Sequence, residues 1–199
     1  DIVVFGSNNS RTNIKAKNIV IATGSEVASL PGIEIDEKNV VSSTGALSFK
    51  KVPKKLAVIG GGYIGLEMGS VWSRLGSDVT VIEYLDFITP GMDREISNEF
   101  KKILIKQGIK FQMGSKVNAV SSKGDFVTIS YTDLKNSKEE KIEVDKVLVA
   151  VGRKPYTEGL NLLKTGVKLD NKGRMEVNNK LQTSVENIYA IGDVIKGPM

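Results

Sequence analysis

Short continuous runs of apolar residues alternate along this chain with stretches of helical periodicity, a pattern typical of parallel strands joined by helices. Leu56–Ile59 is such an apolar run, and Val79–Glu83 is predicted to be the next strand. Between them, apolar residues recur at helical spacing, which predicts a helix with one face against a sheet. The residues of that face are Ile64, Met68, Val71, Trp72 and Leu75. The pattern therefore predicts a strand–helix–strand unit over residues 55–83.

A second amphipathic helix is predicted over residues 94–107. Asp93 can accept hydrogen bonds from the first backbone amides of this helix, and Gly108 is a typical residue just after a helix end. The predicted core face consists of Ile96, Phe100, Ile103 and Leu104. Residues 109–113 are then predicted to form another strand.

Three shorter segments with strand-like patterns follow, at residues 117–121, 126–132 and 141–144. Polar turns separate them, and this arrangement predicts antiparallel strands joined as a meander. The apolar run at 147–151 ends at Gly152, as expected of a buried parallel strand. Together these elements predict an α/β fold, with a Rossmann-like parallel sheet and an added antiparallel meander.

A glycine-rich turn, Gly60-Gly61-Gly62-Tyr63-Ile64-Gly65, links the first strand to the first helix. Gly60 permits a tight turn, Gly62 lets the backbone approach a pyrophosphate, and Gly65 lets the helix pack on the strand. The amides and dipole at the helix start favour phosphate charges. A glycine turn without a ligand is the alternative. The order of strand, helix, second strand and terminal acid favours a dinucleotide site.

Glu83 ends the second strand, where an acid can accept hydrogen bonds from the adenosine ribose hydroxyls. A carboxylate repels the 2′-phosphate of NADP, and residues 84–90 contain no Lys or Arg that would bind that phosphate. Since a hydrogen bond to a charged group contributes about 1.5–3 kcal/mol, we expect a roughly ten- to hundredfold preference for NAD. For Glu83 taken alone, a solvated strand end is the alternative.

The outer parts of the chain show weaker patterns, with strands predicted at 1–6, 19–22 and 187–191 and a short helix at 43–49. Residues 19–24 resemble residues 147–152, since each apolar strand reaches a glycine through an alanine. By analogy, the earlier copy ends a second dinucleotide-binding module; chance similarity of two buried strands is the alternative. We therefore expect a domain over 54–153, inserted into a partial domain formed by 1–53 and 154–199.

The composition removes several kinds of chemistry. The 199 residues include no cysteine and no histidine, so thiolate chemistry, Cys/His metal sites and histidine acid–base catalysis cannot come from this chain. We predict no catalytic residue and no metal ligand within it. The net charge of +5 comes from scattered lysines, which favours a solvated surface over nucleic-acid binding. No apolar run is long enough to span a membrane.

Several stretches make the chain similar to a known family: Ile21–Ser25, Ser42–Leu47, Gly60–Glu67, Gly69–Gly76, Ala150–Pro155 and Tyr189–Val194. On these residues it resembles the pyridine nucleotide–disulfide oxidoreductases over essentially its whole length. Within them it is most similar to the mitochondrial branch that reoxidises dihydrolipoyl groups of 2-oxoacid dehydrogenase complexes. The resemblance implies FAD and NAD as cofactors, with electrons passing from a dithiol through a disulfide and FAD to NAD⁺.

The resemblance also implies cofactor-binding residues. FAD contacts are implied for Thr23, Gly24, Ser25, Asp193 and Met199. NAD contacts are implied for Gly60, Gly61, Gly62, Ile64, Gly65, Glu67, Glu83, Val117 and Gly152. For Tyr63 two roles stay open, a cover for the flavin that nicotinamide displaces and a packed aromatic side chain. For Arg153 a salt bridge or a solvated loop is favoured over phosphate binding.

The chain departs from the family in what it does not contain. The redox-active cysteine pair, the FAD pyrophosphate glycines and a C-terminal domain with a His–Glu pair are absent from these residues. We therefore expect a central fragment of an enzyme that is a homodimer, binds the dihydrolipoyl domains of acyltransferase subunits and resides in the mitochondrial matrix. Two other hypotheses stay open: another NAD(P)H-linked flavoprotein, such as a disulfide reductase or an NADH oxidase, and a non-catalytic NAD-binding module.

Overall fold

The structure is a computed structural model that describes residues 1–8 and 10–197. Within these residues the strands are β1 (Ile2–Phe5), β2 (Arg11–Ile14), β3 (Ile19–Ile21), β4 (Ser25–Val27), β5 (Val40–Val41), β6 (Lys55–Ile59), β7 (Asp78–Glu83), β8 (Lys110–Met113), β9 (Ser115–Lys123), β10 (Phe126–Asp133), β11 (Lys138–Val144), β12 (Lys146–Val149), β13 (Arg153–Pro155) and β14 (Ile188–Ala190). The helices are α1 (Ser43–Leu47), α2 (Tyr63–Arg74), α3 (Arg94–Lys106) and α4 (Leu162–Thr165), with a 3-10 turn at Gly192–Val194.

The chain divides into two compact units. One unit is Val27–Gly152, and the other joins Asp1–Glu26 with Arg153–Met199. The first unit contains the whole strand–helix–strand segment and also β5 and α1, which the sequence-based boundary assigns to the preceding domain. The predicted domain boundaries, after residues 53 and 153, stay a prediction.

The unit Val27–Gly152 contains a five-stranded parallel sheet in the order β5-β12-β6-β7-β8. Strand β6 pairs in parallel with β12 on one side and with β7 on the other, which confirms the predicted Rossmann-like arrangement. The antiparallel meander β9–β10–β11 is confirmed as well. The sequence does not predict the edge strand β5, because two residues are too few to show a period.

Both faces of this parallel sheet are covered, as its apolar runs predict. Along β6, Leu56 and Val58 belong to a core that includes buried residues of α1, α2 and α3. Ala57 and Ile59, which point the other way, belong to a second core shared with β10 and β11. Because packing occupies both faces, the carboxyl ends of the strands are where such a sheet binds ligands.

The predicted core face of α2 is confirmed only in part: Trp72 is buried and Met68 packs against the core. Val71 and Leu75, which we expect in the core, are 44% and 56% exposed. The buried residues of the helix are Gly65, Leu66, Gly69 and Trp72. The glycines explain the difference, because a helix face without side chains can approach the strands closely. A Cβ at Gly69 would already contact Val79 at 3.5 Å and Val58 at 3.7 Å.

Helix α3 begins at the predicted cap, since the Asp93 side chain accepts bonds from two amides of the first turn. The predicted core face is wrong except for Leu104, which is buried. The other three residues are 58%, 37% and 49% exposed in the order Ile96, Phe100 and Ile103. Ser97 occupies the buried position instead, because its hydroxyl pairs with the buried hydroxyl of Thr89.

The other unit contains a two-stranded parallel sheet of β3 and β14, which confirms the strands predicted at 19–22 and 187–191. The predicted strand at 1–6 is also present and pairs with β2 as an antiparallel hairpin. The buried core of this unit consists of Ile21, Leu162, Val167, Met175, Ile188, Ala190 and Val194. The sequence does not predict β2, β13 and α4, since each is too short to show a clear period.

Candidate cofactor-binding sites

The turn between β6 and α2 requires a glycine at its first position. Gly60 has a φ of +109°, a conformation that residues with a side chain rarely adopt. A Cβ at Gly60 would collide with the carbonyl oxygen of Ala150, just after the neighbouring strand β12. The Gly60 amide donates to the Ile82 carbonyl at 2.9 Å, which extends the pairing with β7. This geometry agrees with the tight turn predicted here.

Gly65 and Gly62 have opposite surroundings. A Cβ at Gly65 would meet the carbonyl oxygen of Gly60 and would lie 3.0 Å from Val58 Cγ1. A Cβ at Gly62 would have no described atom within 4 Å. The missing side chain at position 65 therefore serves packing, and the missing side chain at position 62 leaves open space in front of the helix.

The start of α2 favours an anion. Gly62 is the N-cap residue, so no side chain at the cap accepts bonds from the first amides of the helix. The first turn also carries no acidic residue. Helix α2 is 12 residues long, and its aligned peptide dipoles give its start a partial positive charge. Amides directed at an open, positively polarised space are what a phosphate group needs.

Glu83 lies beside this turn at the end of β7. It is only 8% exposed, and its carboxylate is oriented by the backbone. The Gly61 amide donates to Glu83 Oε2 at 2.5 Å, and the Leu85 amide donates to Glu83 Oε1 at 2.8 Å. A carboxylate offers about four acceptor positions, so two remain for ligand hydroxyls.

An arginine contacts the loop that follows Glu83, although residues 84–90 contain none. Arg94, the first residue of α3, places its guanidinium 3.7 Å from the centre of the Phe87 ring. Its Nη2 atom lies 3.5 Å from Asp86 Oδ1. Residues 84–90, where the sequence analysis looks for a basic residue, end before Arg94. The fold brings the Arg94 side chain back to this loop. Asp86 balances the charge of Arg94, so we do not expect Arg94 to favour the 2′-phosphate of NADP. The expected preference for NAD continues to depend on Glu83.

The remaining residues predicted to contact NAD lie on several elements of the same unit. Tyr63 and Glu67 are exposed on α2, and Ile64 is half-buried. Gly152 follows β12 with a φ of +129°. Val117 lies on β9, where it packs against the core shared by the sheet and the meander. The roles of these residues stay predictions.

A second group of predicted residues lies in the other unit, where two paired strands end. Thr23, Gly24 and Ser25 follow β3, and Asp193 follows β14. Since these strands pair in parallel, their carboxyl ends lie side by side. The Ser25 hydroxyl donates to Asp193 Oδ2 at 2.6 Å. The fold therefore brings together residues that are far apart in the sequence and that we predict to serve one cofactor.

Arg153 also belongs to this second group, although the sequence does not predict its contacts there. Its Nε donates to the Ser25 hydroxyl oxygen, and its Nη2 donates to the Ser25 carbonyl oxygen, both at 2.6 Å. Ser25 thus links a guanidinium to the carboxylate of Asp193 through charge-assisted hydrogen bonds. The expectation of a salt bridge or a solvated loop for Arg153 is wrong. The available signal was its position directly after a glycine at a strand end.

Met199, the last residue predicted to contact FAD, lies outside the described residues. Within residues 1–8 and 10–197, no group of three or more His, Cys, Asp or Glu side chains is arranged to hold a metal ion. In the same part of the chain, no helix combines the length and the hydropathy needed to cross a membrane.

These features define a class of protein. A parallel sheet carries a glycine turn, an open helix start and a buried acid at the adjacent strand end. The family model described as pyridine nucleotide-disulphide oxidoreductase matches residues 2–199. The chain belongs to the pyridine nucleotide-disulphide oxidoreductase family.

Curated relatives carry more specific names. The chain is 55% identical over 188 residues to a mitochondrial dihydrolipoyl dehydrogenase of Pisum sativum, covering 94% of this chain and 38% of that protein. The mitochondrial dihydrolipoyl dehydrogenase of Mus musculus is 53% identical, with 94% and 37% covered. Leghemoglobin reductase of Glycine max is 52% identical over 199 residues, with 100% and 38% covered. The chain therefore spans well under half the length of the curated relatives it matches.

Solved structures support the fold. The HOCl-induced flavoprotein disulfide reductase RclA from Escherichia coli matches with a TM-score of 0.82 at 32% identity, covering 94% of this chain and 42% of that chain. LpdA from Mycobacterium tuberculosis matches with a TM-score of 0.87 at 24% identity, with 97% and 41% covered. At the latter identity the likeness shows the fold alone, and the predicted α/β class is confirmed.

Proposed function

We propose that the chain binds NAD through the turn after β6, the start of α2 and Glu83. One observation carries the proposal: the open side of Gly62 lies at the helix start, and two backbone amides orient Glu83 at the adjacent strand end. Linked phosphates would accept bonds from the α2 amides, and the free acceptor positions of Glu83 would receive ribose hydroxyls. A carboxylate there disfavours a 2′-phosphate, which supports NAD over NADP.

The second proposed cofactor is FAD, bound in part by Thr23, Gly24, Ser25 and Asp193. The Asp193 carboxylate receives a bond from Ser25, and Ser25 receives a bond from Arg153. Hydroxyl groups of the flavin side chain would therefore meet an acceptor that is already oriented. FAD and NAD supply the electron and hydride transfer that amino-acid side chains do not perform. The residues of this chain contribute binding and orientation.

The whole protein is proposed to be a dihydrolipoyl dehydrogenase. This name belongs to relatives that are 55% and 53% identical to the chain, from Pisum sativum and Mus musculus. The proposed reaction oxidises dihydrolipoyl groups of 2-oxoacid dehydrogenase complexes and reduces NAD⁺. Its thiol chemistry needs cysteines, which the 199 residues do not contain. The chain would thus supply cofactor-binding parts of the enzyme.

Partners and location follow from the same proposal. The dihydrolipoyl domains of acyltransferase subunits would be the macromolecular substrates, and the whole protein would form a homodimer. Several relatives are named as mitochondrial, which supports the mitochondrial matrix as the location. The NAD-binding domain is proposed to comprise residues 54–153, inserted between two FAD-domain segments at 1–53 and 154–199.

The test is a steady-state assay of the whole protein loaded with FAD. Dihydrolipoamide is supplied with NAD⁺ or NADP⁺, and formation of the reduced nucleotide is followed. We expect NADH formation with dihydrolipoamide and little NADPH formation. Glutathione in place of dihydrolipoamide is the matched thiol control. Faster turnover with NADP⁺, or with glutathione, would contradict the proposal.

A second candidate is a member of the same family that reduces leghemoglobin. It is favoured by the 52% identity to leghemoglobin reductase of Glycine max. Both candidates would use the same NAD site, so calorimetry with NAD⁺ alone does not separate them. The test adds NADH and leghemoglobin to the whole protein. Reduction of leghemoglobin, together with no turnover of dihydrolipoamide, would favour this second candidate.

A further inference from the structure

Thr89 has an unusual backbone in the loop between β7 and α3. Its φ is +49°, in the left-handed region that β-branched residues adopt least readily. The residue is nevertheless 7% exposed, so the surrounding structure holds it in this conformation. Such conformations persist where neighbouring contacts over-determine them, and they are concentrated at functional sites.

The amide of Thr89 reaches the glycine turn. It donates to the Gly61 carbonyl oxygen at 2.8 Å, while the Gly61 amide donates to Glu83 Oε2. A Cβ at Gly61 would lie 3.3 Å from Ile88 Cγ2, so the loop also closes over this peptide by packing. Both polar groups of Gly61 therefore have partners from outside the turn, Glu83 on one side and Thr89 on the other.

The hydroxyl of Thr89 connects this contact to α3. Thr89 Oγ1 and Ser97 Oγ lie 2.7 Å apart, and Ser97 is 1% exposed. On α3 this serine faces the core, while Ile96 and Phe100 are exposed. Removing either hydroxyl leaves the other buried without this partner, which disfavours the observed loop conformation.

We propose that Thr89 and Ser97 are positioning residues for the phosphate-binding turn: their hydroxyl pair holds the Thr89 amide on Gly61 and thereby sets the affinity for NAD. The inference rests on the proposed NAD function of that turn. Neither side chain touches the cofactor in this account. Each acts through the backbone of Gly61, whose neighbour Gly62 would face the phosphates.

The test compares variants of the whole protein, loaded with FAD, by calorimetric titration with NAD⁺ and by thermal melting. Thr89→Val retains the shape and removes the hydroxyl, and Ser97→Ala removes its partner. Each is expected to raise the Kd for NAD⁺ roughly three- to tenfold. Thr89→Ser retains a hydroxyl and is expected to bind like wild type. Because the hydroxyls act as a pair, the double variant is expected to be no weaker than the weaker single variant.

Ser77→Ala is the matched control for general loss of stability. Ser77 is also buried, and its hydroxyl donates to the Pro53 carbonyl oxygen at 2.7 Å, at the amino ends of β6 and β7. It is expected to lower the melting temperature and leave the Kd unchanged. The proposal is overturned if Thr89→Val and Ser97→Ala melt earlier but bind NAD⁺ like wild type. Failure of the wild-type protein to bind NAD⁺ would instead refute the proposed function, and this inference with it.

Discussion

At the scale of single residues, Glu83 has one observed role, in the fold, and one proposed role, in binding. Its side chain satisfies backbone amides on both sides, those of Gly61 and Leu85, so it organises the glycine turn before any ligand arrives. The same carboxylate would then accept ribose hydroxyls. Ligand preference and local stability would therefore be coupled in one buried side chain, and we expect a substitution here to alter both.

Glu83→Gln is expected to lower the free energy of unfolding by about 1–3 kcal/mol. A glutamine has one acceptor oxygen, so its NH₂ group would face the amide of Gly61 or Leu85 and leave that donor unpaired. Urea unfolding followed by circular dichroism measures the change. Glu67→Gln is the control, since Glu67 is exposed, and we expect it to change stability by less than about 0.5 kcal/mol. Equal effects of the two variants would contradict this account of Glu83.

At the scale of elements, the glycines of helix α2 lie in two different settings, against the sheet and at the open start of the helix. The side facing the sheet contains Gly65 and Gly69, which let the helix approach β6 and β7. The start of the helix contains Gly62, which leaves the first amides accessible. Packing depends on Gly65 and Gly69, whereas the proposed binding depends on Gly62, so we expect substitutions to separate the two.

Gly65→Ala and Gly62→Ala form a matched pair of variants. In Gly65→Ala the new methyl group meets the Gly60 carbonyl oxygen, and we expect a loss of about 1–3 kcal/mol in stability. In Gly62→Ala the methyl group meets open space, so stability is expected to stay near wild type. The Kd for NAD⁺ is then expected to rise by about tenfold or more, because the methyl group occupies the approach to the phosphates. Melting curves and calorimetry together check the pair; a destabilised Gly62→Ala chain would contradict it.

The sequence predicts those elements whose pattern is local. The strands β6, β7 and β12 and the cap of α3 by Asp93 follow from apolar runs and turn chemistry. The core faces of α2 and α3 follow only in part: Trp72 and Leu104 are buried as predicted, whereas Gly65, Gly69 and Ser97 take core positions that apolar periodicity does not indicate. The site shows the same division. Glu83 is predictable from a motif, whereas the contacts of Arg153 and Thr89 depend on distant segments that only the fold brings together.

At the scale of the whole molecule, each compact unit contains a carboxylate whose pKa is lowered by the hydrogen bonds that it accepts. In one unit, burial acts to raise the pKa of Asp36, but bonds from the amides of Lys38, Val40 and Asn39 outweigh it and keep the pKa below its ordinary value. In the other unit, the side-chain bond from Arg174 lowers the pKa of Asp170 from 3.8 to about 2. Arg174 Nε donates to Asp170 Oδ2 at 2.7 Å.

Asp170→Asn tests the acid response of the second unit. A carboxyl whose pKa is lowered by folding stabilises the protein above its ordinary pKa and loses that contribution as pH falls through the folded value. Wild type is therefore expected to be more stable than Asp170→Asn from neutral pH down to about pH 4. The difference should shrink as the pH falls toward about 2. Melting temperatures measured across this range check the prediction, and a difference that grows on acidification would contradict it.

The turn at residues 60–65 and Glu83 are together proposed to bind NAD. Calorimetric titration of the wild-type chain with NAD⁺ and with NADP⁺, at the same ionic strength, tests this proposal most directly. We expect saturable binding of NAD⁺ with a Kd roughly ten- to a hundredfold lower than that for NADP⁺. Equal affinities, tighter binding of NADP⁺ or no binding of NAD⁺ would contradict it.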